Sequence, residues 1–111
     1  MSTASNQDSQ EAPRVSNNEA EQRYEVHVDG ELAGFADYRV QPGTIAFPHT
    51  EVDPAHQGQG LAGMLAKMAL DDARQQGLRV RPQCSFFATY IRRHPEYADL
   101  VDASSASADP M

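Results

Sequence analysis

The sequence predicts an α/β domain in which an antiparallel β meander leads into a β-α-β crossover and a C-terminal helix. Three observations carry this. Apolar and polar residues alternate between Arg23 and Val52, in runs broken by Asp29-Gly30 and Gln41-Pro42-Gly43. From Leu61 the apolar spacing becomes helical. After Gly77 a short apolar run returns as a strand, ahead of one more helical segment.

In order along the chain, Arg23–Asp29 sets Tyr24, Val26 and Val28 against Glu25, His27 and Asp29, the period of a half-buried strand. Asp29-Gly30 supplies a hairpin turn. A second strand runs from Leu32 to Val40, and a third from Thr44 towards Val52. Pro48 falls inside the third and has no N–H to give the ladder, so a bulge is expected there. Leu61, Met64, Leu65 and Met68 then recur at i, i+3, i+4 and i+7, the core face of a helix. Lys67, Asp71 and Arg74 follow at spacings that permit ion pairs. Gly77 stops this helix. Leu78 to Cys84 reads as a strand parallel to the third, because a helix connects them. A last helix is expected over Ser85–Arg93, ended by Pro95.

Both ends of the chain have little to bury. Residues 1–21 are rich in Ser, Asn, Gln and acids, and 103–111 read ASSASADPM, so both are expected to be disordered tails around a domain at 22–102. The formal net charge is −7, yet eleven acids face eight basic residues within the domain. No basic patch suited to a nucleic-acid backbone stands out, although Arg79, Arg81, Arg92 and Arg93 offer room for one small anion. No signal peptide and no apolar run of membrane-spanning length is visible, so the reading is of a soluble cytoplasmic protein with no membrane partner. One cysteine and four scattered histidines suggest neither a disulfide framework nor a zinc site.

The segment that carries chemistry is Gln57-Gly58-Gln59-Gly60-Leu61-Ala62-Gly63, between a strand and a helix start. Amides at a helix N-terminus lack intrahelical acceptors, and with the helix dipole they make an anion site that glycines let phosphate approach. The plain structural alternative is a tight turn and nothing more. GQGLAG also satisfies the dinucleotide fingerprint G-x-G-x-x-G. That motif needs a βαβ unit and a downstream acid, whereas three antiparallel strands precede this turn and the next strand ends Arg81-Pro82-Gln83-Cys84. A Walker-type loop is excluded because no Lys-Ser or Lys-Thr follows the glycines.

Gln57 to Ala62 is similar to the Q/R-x-x-G-x-G/A signature of the GNAT superfamily of N-acetyltransferases. HTEVDPAHQGQGLAGMLAKMAL, RPQCS and HPEYADL together resemble a short single-domain GNAT-like family across nearly all of residues 23–101. The resemblance implies a minimal GNAT-like fold and acetyl-CoA as the acetyl donor for an amine acceptor. It implies a strand splayed from its neighbour to admit the pantetheine arm. Gln57, Gly58, Gln59, Gly60, Leu61, Ala62 and Gly63 would hold the pyrophosphate, with Arg93 near the phosphates. The strand at Thr50, Glu51 and Val52 would pair with the carbonyl and the pantetheine amides. The larger GNAT enzymes have N-terminal helices and C-terminal strands for which the matched region has no room.

Acetyl transfer to an amine needs a base and stabilised charge at the acetyl carbonyl. Strand parity puts His49 and Glu51 on one face and Thr50 and Val52 on the other, so His49 or Glu51 can take the amine's proton. The alternative for His49 is a satisfied structural histidine beside Pro48, and for Glu51 a solvated strand residue. Cys84 ends the returning strand at a helix start, either as an acyl carrier, as the family resemblance suggests, or as a packed thiol. Tyr90 occupies the helix on which many GNAT enzymes place a tyrosine that protonates the departing thiolate; core packing is the alternative. Two further readings are kept: a non-catalytic acyl-CoA-binding module, and an interaction domain whose glycine turn is only structural.

Overall fold

The computed structural model describes residues 12–102. Five strands lie in chain order across one mixed sheet: β1 Arg14–Asn18, β2 Arg23–Val28, β3 Glu31–Gln41, β4 Thr44–Val52 and β5 Arg79–Arg81. The first four are antiparallel and β5 runs parallel to β4. Helix α1 spans Leu61–Gln75 and makes the crossover, while α2 spans Ser85–Arg93, the range expected ahead of Pro95. Single 3₁₀ segments follow β4 at Pro54–His56 and α2 at Pro95–Leu100.

Both helices bury their apolar sides in one core on one face of the sheet. Leu61, Leu65, Ala66, Ala69 and Leu70 of α1 are buried there with Tyr24, Val26, Ala36 and Phe47 of the strands. Phe47 stacks on Phe87 of α2, ring centroids 4.3 Å apart. The Asp29-Gly30 turn has both residues at positive φ, 51° and 82°, the twist that a two-residue hairpin requires. Neighbouring aspartates on α1 tie the layers together: Tyr24 donates to Asp72 at 2.9 Å and Tyr97 to Asp71 at 2.7 Å.

Two boundaries differ from the sequence expectation. The expected N-terminal tail contributes β1, because residues 14–18 find partners that composition does not reveal. Val15 packs against the core, Asn17 accepts from Tyr38 Oη at 2.8 Å, and Asn18 donates to Glu25 at 2.9 Å. The tail expectations for residues 1–11 and 103–111 lie outside the described residues. The returning strand is three residues long rather than reaching Cys84. Pro82 has no N–H, Gln83 turns back to the Arg81 carbonyl at 2.9 Å, and Cys84 caps α2.

The bulge expected at Pro48 is present: Asp37 pairs with His49 but Arg39 with Ala46, so Phe47 and Pro48 share the place of one residue. Phe47 and Thr50 therefore point to the same, helix-covered face, while His49 and Glu51 point to the other. Past β5 the chain is clamped down. Arg74 grips Asp99 through two bonds of 3.0 Å, Arg81 binds Asp102 at 2.9 Å, and Val101 makes a parallel bridge to Val80.

Candidate active site

The turn after β4 is built from short-range bonds. Asp53 Oδ1 accepts from the Ala55 amide at 3.0 Å, the Asp53 carbonyl accepts from His56 at 2.8 Å, and Gln57 Nε2 reaches back to the Val52 carbonyl at 3.4 Å. Gly58 and Gly60 take φ of 86° and 75°, conformations that glycine adopts without a Cβ clash. The first rung of α1 runs from the Met64 amide to the Gly60 carbonyl at 3.2 Å. The amides of Leu61, Ala62 and Gly63 therefore precede the helical ladder.

These amides open on a cavity of about 510 Å³. One wall is Val52 with Gln57, Gly58, Gly60, Leu61, Ala62 and Gly63; the other is α2, through Phe86, Thr89, Tyr90 and Arg93, with His94 beyond its end. Of the sequence-predicted binding residues, Thr50 and Gln59 do not line it, and Gln59 is exposed. Thr50 lies two residues up the same strand face from Val52, and its Oγ1 is 3.3 Å from Cys84 Sγ. Between β4 and β5 regular pairing ends at Ala46 and Arg81, and one more bond joins the Cys84 amide to the Phe47 carbonyl at 2.9 Å. Beyond that point β4 continues to Val52 with β3 as its single strand neighbour. This is the expected splay.

The four candidate catalytic residues fall in three places. Cys84 sits with Thr50 at the vertex of the splay. Tyr90 is six residues along α2, about 9 Å by helical rise, and an added Cβ on Gly63 would stand 3.7 Å from its ring. His49 and Glu51 share the uncovered face, Nε2 to Oε2 3.2 Å, with the His49 ring 6.0 Å from Phe35. Burial pushes the Tyr90 hydroxyl above its ordinary range. Its ring stacks on His94 at 3.9 Å, and among the described residues its hydroxyl has no hydrogen-bond partner.

The arginine cluster separates. Arg79 and Arg81 are engaged by the C-terminal segment and Arg92 contacts Thr89, which leaves Arg93 at the cavity. Phe86, Thr89 and His94 were not anticipated as lining residues, although 86, 89, 90 and 93 are spaced as one helical face and were legible as such. His56, next to Gln57, carries no such signal.

A coenzyme diphosphate fits this cavity. A Cβ on Gly58 or Gly60 would meet no atom within 4 Å, so the donor side of the turn stands open, and Arg93 adds a cation across from it. A mixed sheet that splays beside a glycine turn at a helix start defines the N-acetyltransferase class of α/β folds that the signature implied. The chain belongs to the GCN5-related N-acetyl-transferase family, whose model matches residues 23–100.

Among curated proteins, it is similar to Protein NATD1 of Xenopus tropicalis, 35% identical over 52 residues, which are 47% of this chain and 48% of that protein. Protein NATD1 of Gallus gallus is 38% identical over 51 residues, 46% of each. The chain thus spans about half the length of the curated relatives it matches. Among solved structures, the ribosomal-protein-S18-alanine N-acetyltransferase from Escherichia coli superposes with a TM-score of 0.55 at 21% identity, over 82% of this chain and 56% of that one. That likeness is one of fold.

Proposed function

We propose that this chain is an acetyl-CoA-dependent N-acetyltransferase acting on an amine, either a small molecule or a protein amino group. One observation carries the reading: a single cavity joins the open amides of the glycine turn to Val52, the last residue of the half of β4 that β5 leaves unpaired. Acetyl-CoA, when bound, supplies an acetyl group activated as a thioester. The amides from Gly60 to Gly63 and the Arg93 guanidinium hold the diphosphate. The backbone of Thr50–Val52 offers the pantetheine arm the hydrogen bonds that a fifth-strand partner would otherwise take.

The acceptor is reached from the uncovered face. There the Glu51 carboxylate, 3.2 Å from His49 Nε2, favours the proton on that nitrogen and leaves Nδ1 to accept one from the amine. Tyr90, held protonated by burial, serves as a donor and not as a base. Thr50 and Cys84 hold each other where β5 parts from β4.

Two measurements test this. CoA should raise the melting temperature, since a ligand specific for the native state stabilises it. Thioester consumption against a panel of amines should then show turnover. Stabilisation without turnover would make the chain a coenzyme-binding module, and no stabilisation would reduce the glycine turn to a structural corner.

A further inference from the structure

Among the described residues, one buried side-chain nitrogen lacks any hydrogen-bond partner: Nδ1 of His56. Native folds rarely leave a buried polar atom unpaired, and such exceptions concentrate where function requires them. His56 closes the 3₁₀ turn Pro54–His56, and it lines the same cavity as Gly58 and Gly60. Its position comes from the backbone, through its amide bond to Asp53, and not from any bond of its ring.

The sealed nitrogen fixes the ring's chemistry. A proton on Nδ1 would bury an unpaired N–H, the rarer and costlier kind of orphan, so the neutral ring carries its proton on Nε2. With the Nδ1 edge closed to solvent, the edge left to meet the cavity is the one that bears this donor. We infer that His56 donates from Nε2–H to a diphosphate oxygen of the bound coenzyme, a side-chain donor beside the backbone amides of the glycine turn. The inference rests on the coenzyme reading above. It adds His56 as a second side-chain donor beside Arg93, and it gives the unpaired nitrogen a reason: the turn holds the ring by its backbone so that its donor edge faces the ligand.

The test uses the full chain with two substitutions, His56→Ala and His56→Gln, the latter placing an amide nitrogen near the position of Nε2. Calorimetry should show His56→Ala losing about tenfold in affinity, the worth of one hydrogen bond to a charged group. The loss should be equal for CoA and for dephospho-CoA, which share the diphosphate. His56→Gln should recover most of it, with neither variant melting below the wild type. The ring Nε2 resonance of ¹⁵N-labelled His56 should shift on addition of CoA while Nδ1 keeps its unprotonated signature. An affinity of His56→Ala within twofold of wild type would overturn the inference. So would a loss for CoA that dephospho-CoA does not share, which would move His56 to the 3′-phosphate, or an Nε2 resonance indifferent to CoA. Wild-type protein that binds neither compound would bring down the coenzyme reading itself, a result distinct from all of these.

Discussion

The two faces of the sheet are made by the same strands and are unlike in every physical respect. On the helix-covered face Tyr24, Val26, Ala36 and Phe47 are at most 2% exposed, and all join one core. On the other face, register sets Glu25 beside Phe35, Phe35 beside Glu51, and Asp37 beside His49. There His49 and Glu51 keep 52% and 62% of their side-chain surface in water. Polar groups on that face are partnered instead of buried among apolar ones. Glu25 is gripped by Arg23 at 2.7 Å and Asn18 at 2.9 Å, bonds that hold its carboxyl below the ordinary range. Arg23 also lies 4.8 Å over the Phe35 ring. One face is thus constrained by packing and the other by chemistry, and substitutions should sort accordingly.

The widest separation is expected between two phenylalanines. Phe47→Ala removes a fully buried ring from its stack with Phe87 and should cost about 3–5 kcal/mol. Phe35→Ala, on the uncovered face, should cost about 1 kcal/mol or less. Denaturant titration of both variants checks this, and equal losses would mean that the two faces are not distinct in packing.

Next comes the glycine turn. Gly60 has φ 75°, which Asp tolerates better than most residues, and its Cβ would meet only open space. Gly60→Asp should therefore stay folded, yet lower CoA affinity at least a hundredfold, about 2.7 kcal/mol, by setting a carboxylate against the diphosphate. Calorimetry on the folded variant decides it; unchanged affinity would sink the anion-site assignment. On the opposite face, His49→Ala should lower turnover about a hundredfold, the low end for a general base, and leave both CoA affinity and melting temperature in place. A matching loss of CoA affinity would erase the division of labour between the faces.

The smallest effect concerns pH. The Tyr97 hydroxyl, with Lys67 second, holds Asp71 below the ordinary carboxylate range, while burial and then Asp71 push Tyr97 up to about 12. A lowered carboxylate stabilises the fold above its unfolded value and loses that contribution as pH falls through the lowered one. A raised tyrosine contributes below about pH 10 and loses that contribution as pH rises towards 12. Tyr97→Phe should cost about 1 kcal/mol at pH 7. Its deficit against wild type should begin to shrink below about pH 4, where Asp71 takes up a proton in the unfolded chain, and shrink further as pH falls through the lowered value in the fold. Melting curves from pH 7 to pH 3 measure it.

How much of this was legible follows the same division. Alternation in Arg23–Asp29 and the helical stripe from Leu61 follow from apolar burial, and the structure has them where the periodicity puts them, while the span of α2 was legible from the stop at Pro95. The glycine turn was legible because glycine is needed where φ is positive. β1 was not, because Asn17 and Asn18 are ordered by the Tyr38 hydroxyl, 21 residues on, and the Glu25 carboxylate, 7 residues on, polar partners that leave no periodic trace. The separation of Cys84, Tyr90 and the His49–Glu51 pair was only half legible. Strand parity divides His49 from Thr50, but the distance of Tyr90 from the splay depends on how α2 is docked.

The extra residue at Pro48 also bears on which changes of chain length this fold can absorb. Phe47 and Pro48 together occupy the place of one residue, so the strand carries one residue of slack at that point. A lineage that lost Pro48 would regain regular alternation and keep His49 and Glu51 on the uncovered face, with Thr50 and Val52 on the other. A second residue lost nearby would find no slack to absorb it, and would turn everything between it and the glycine turn to the opposite side.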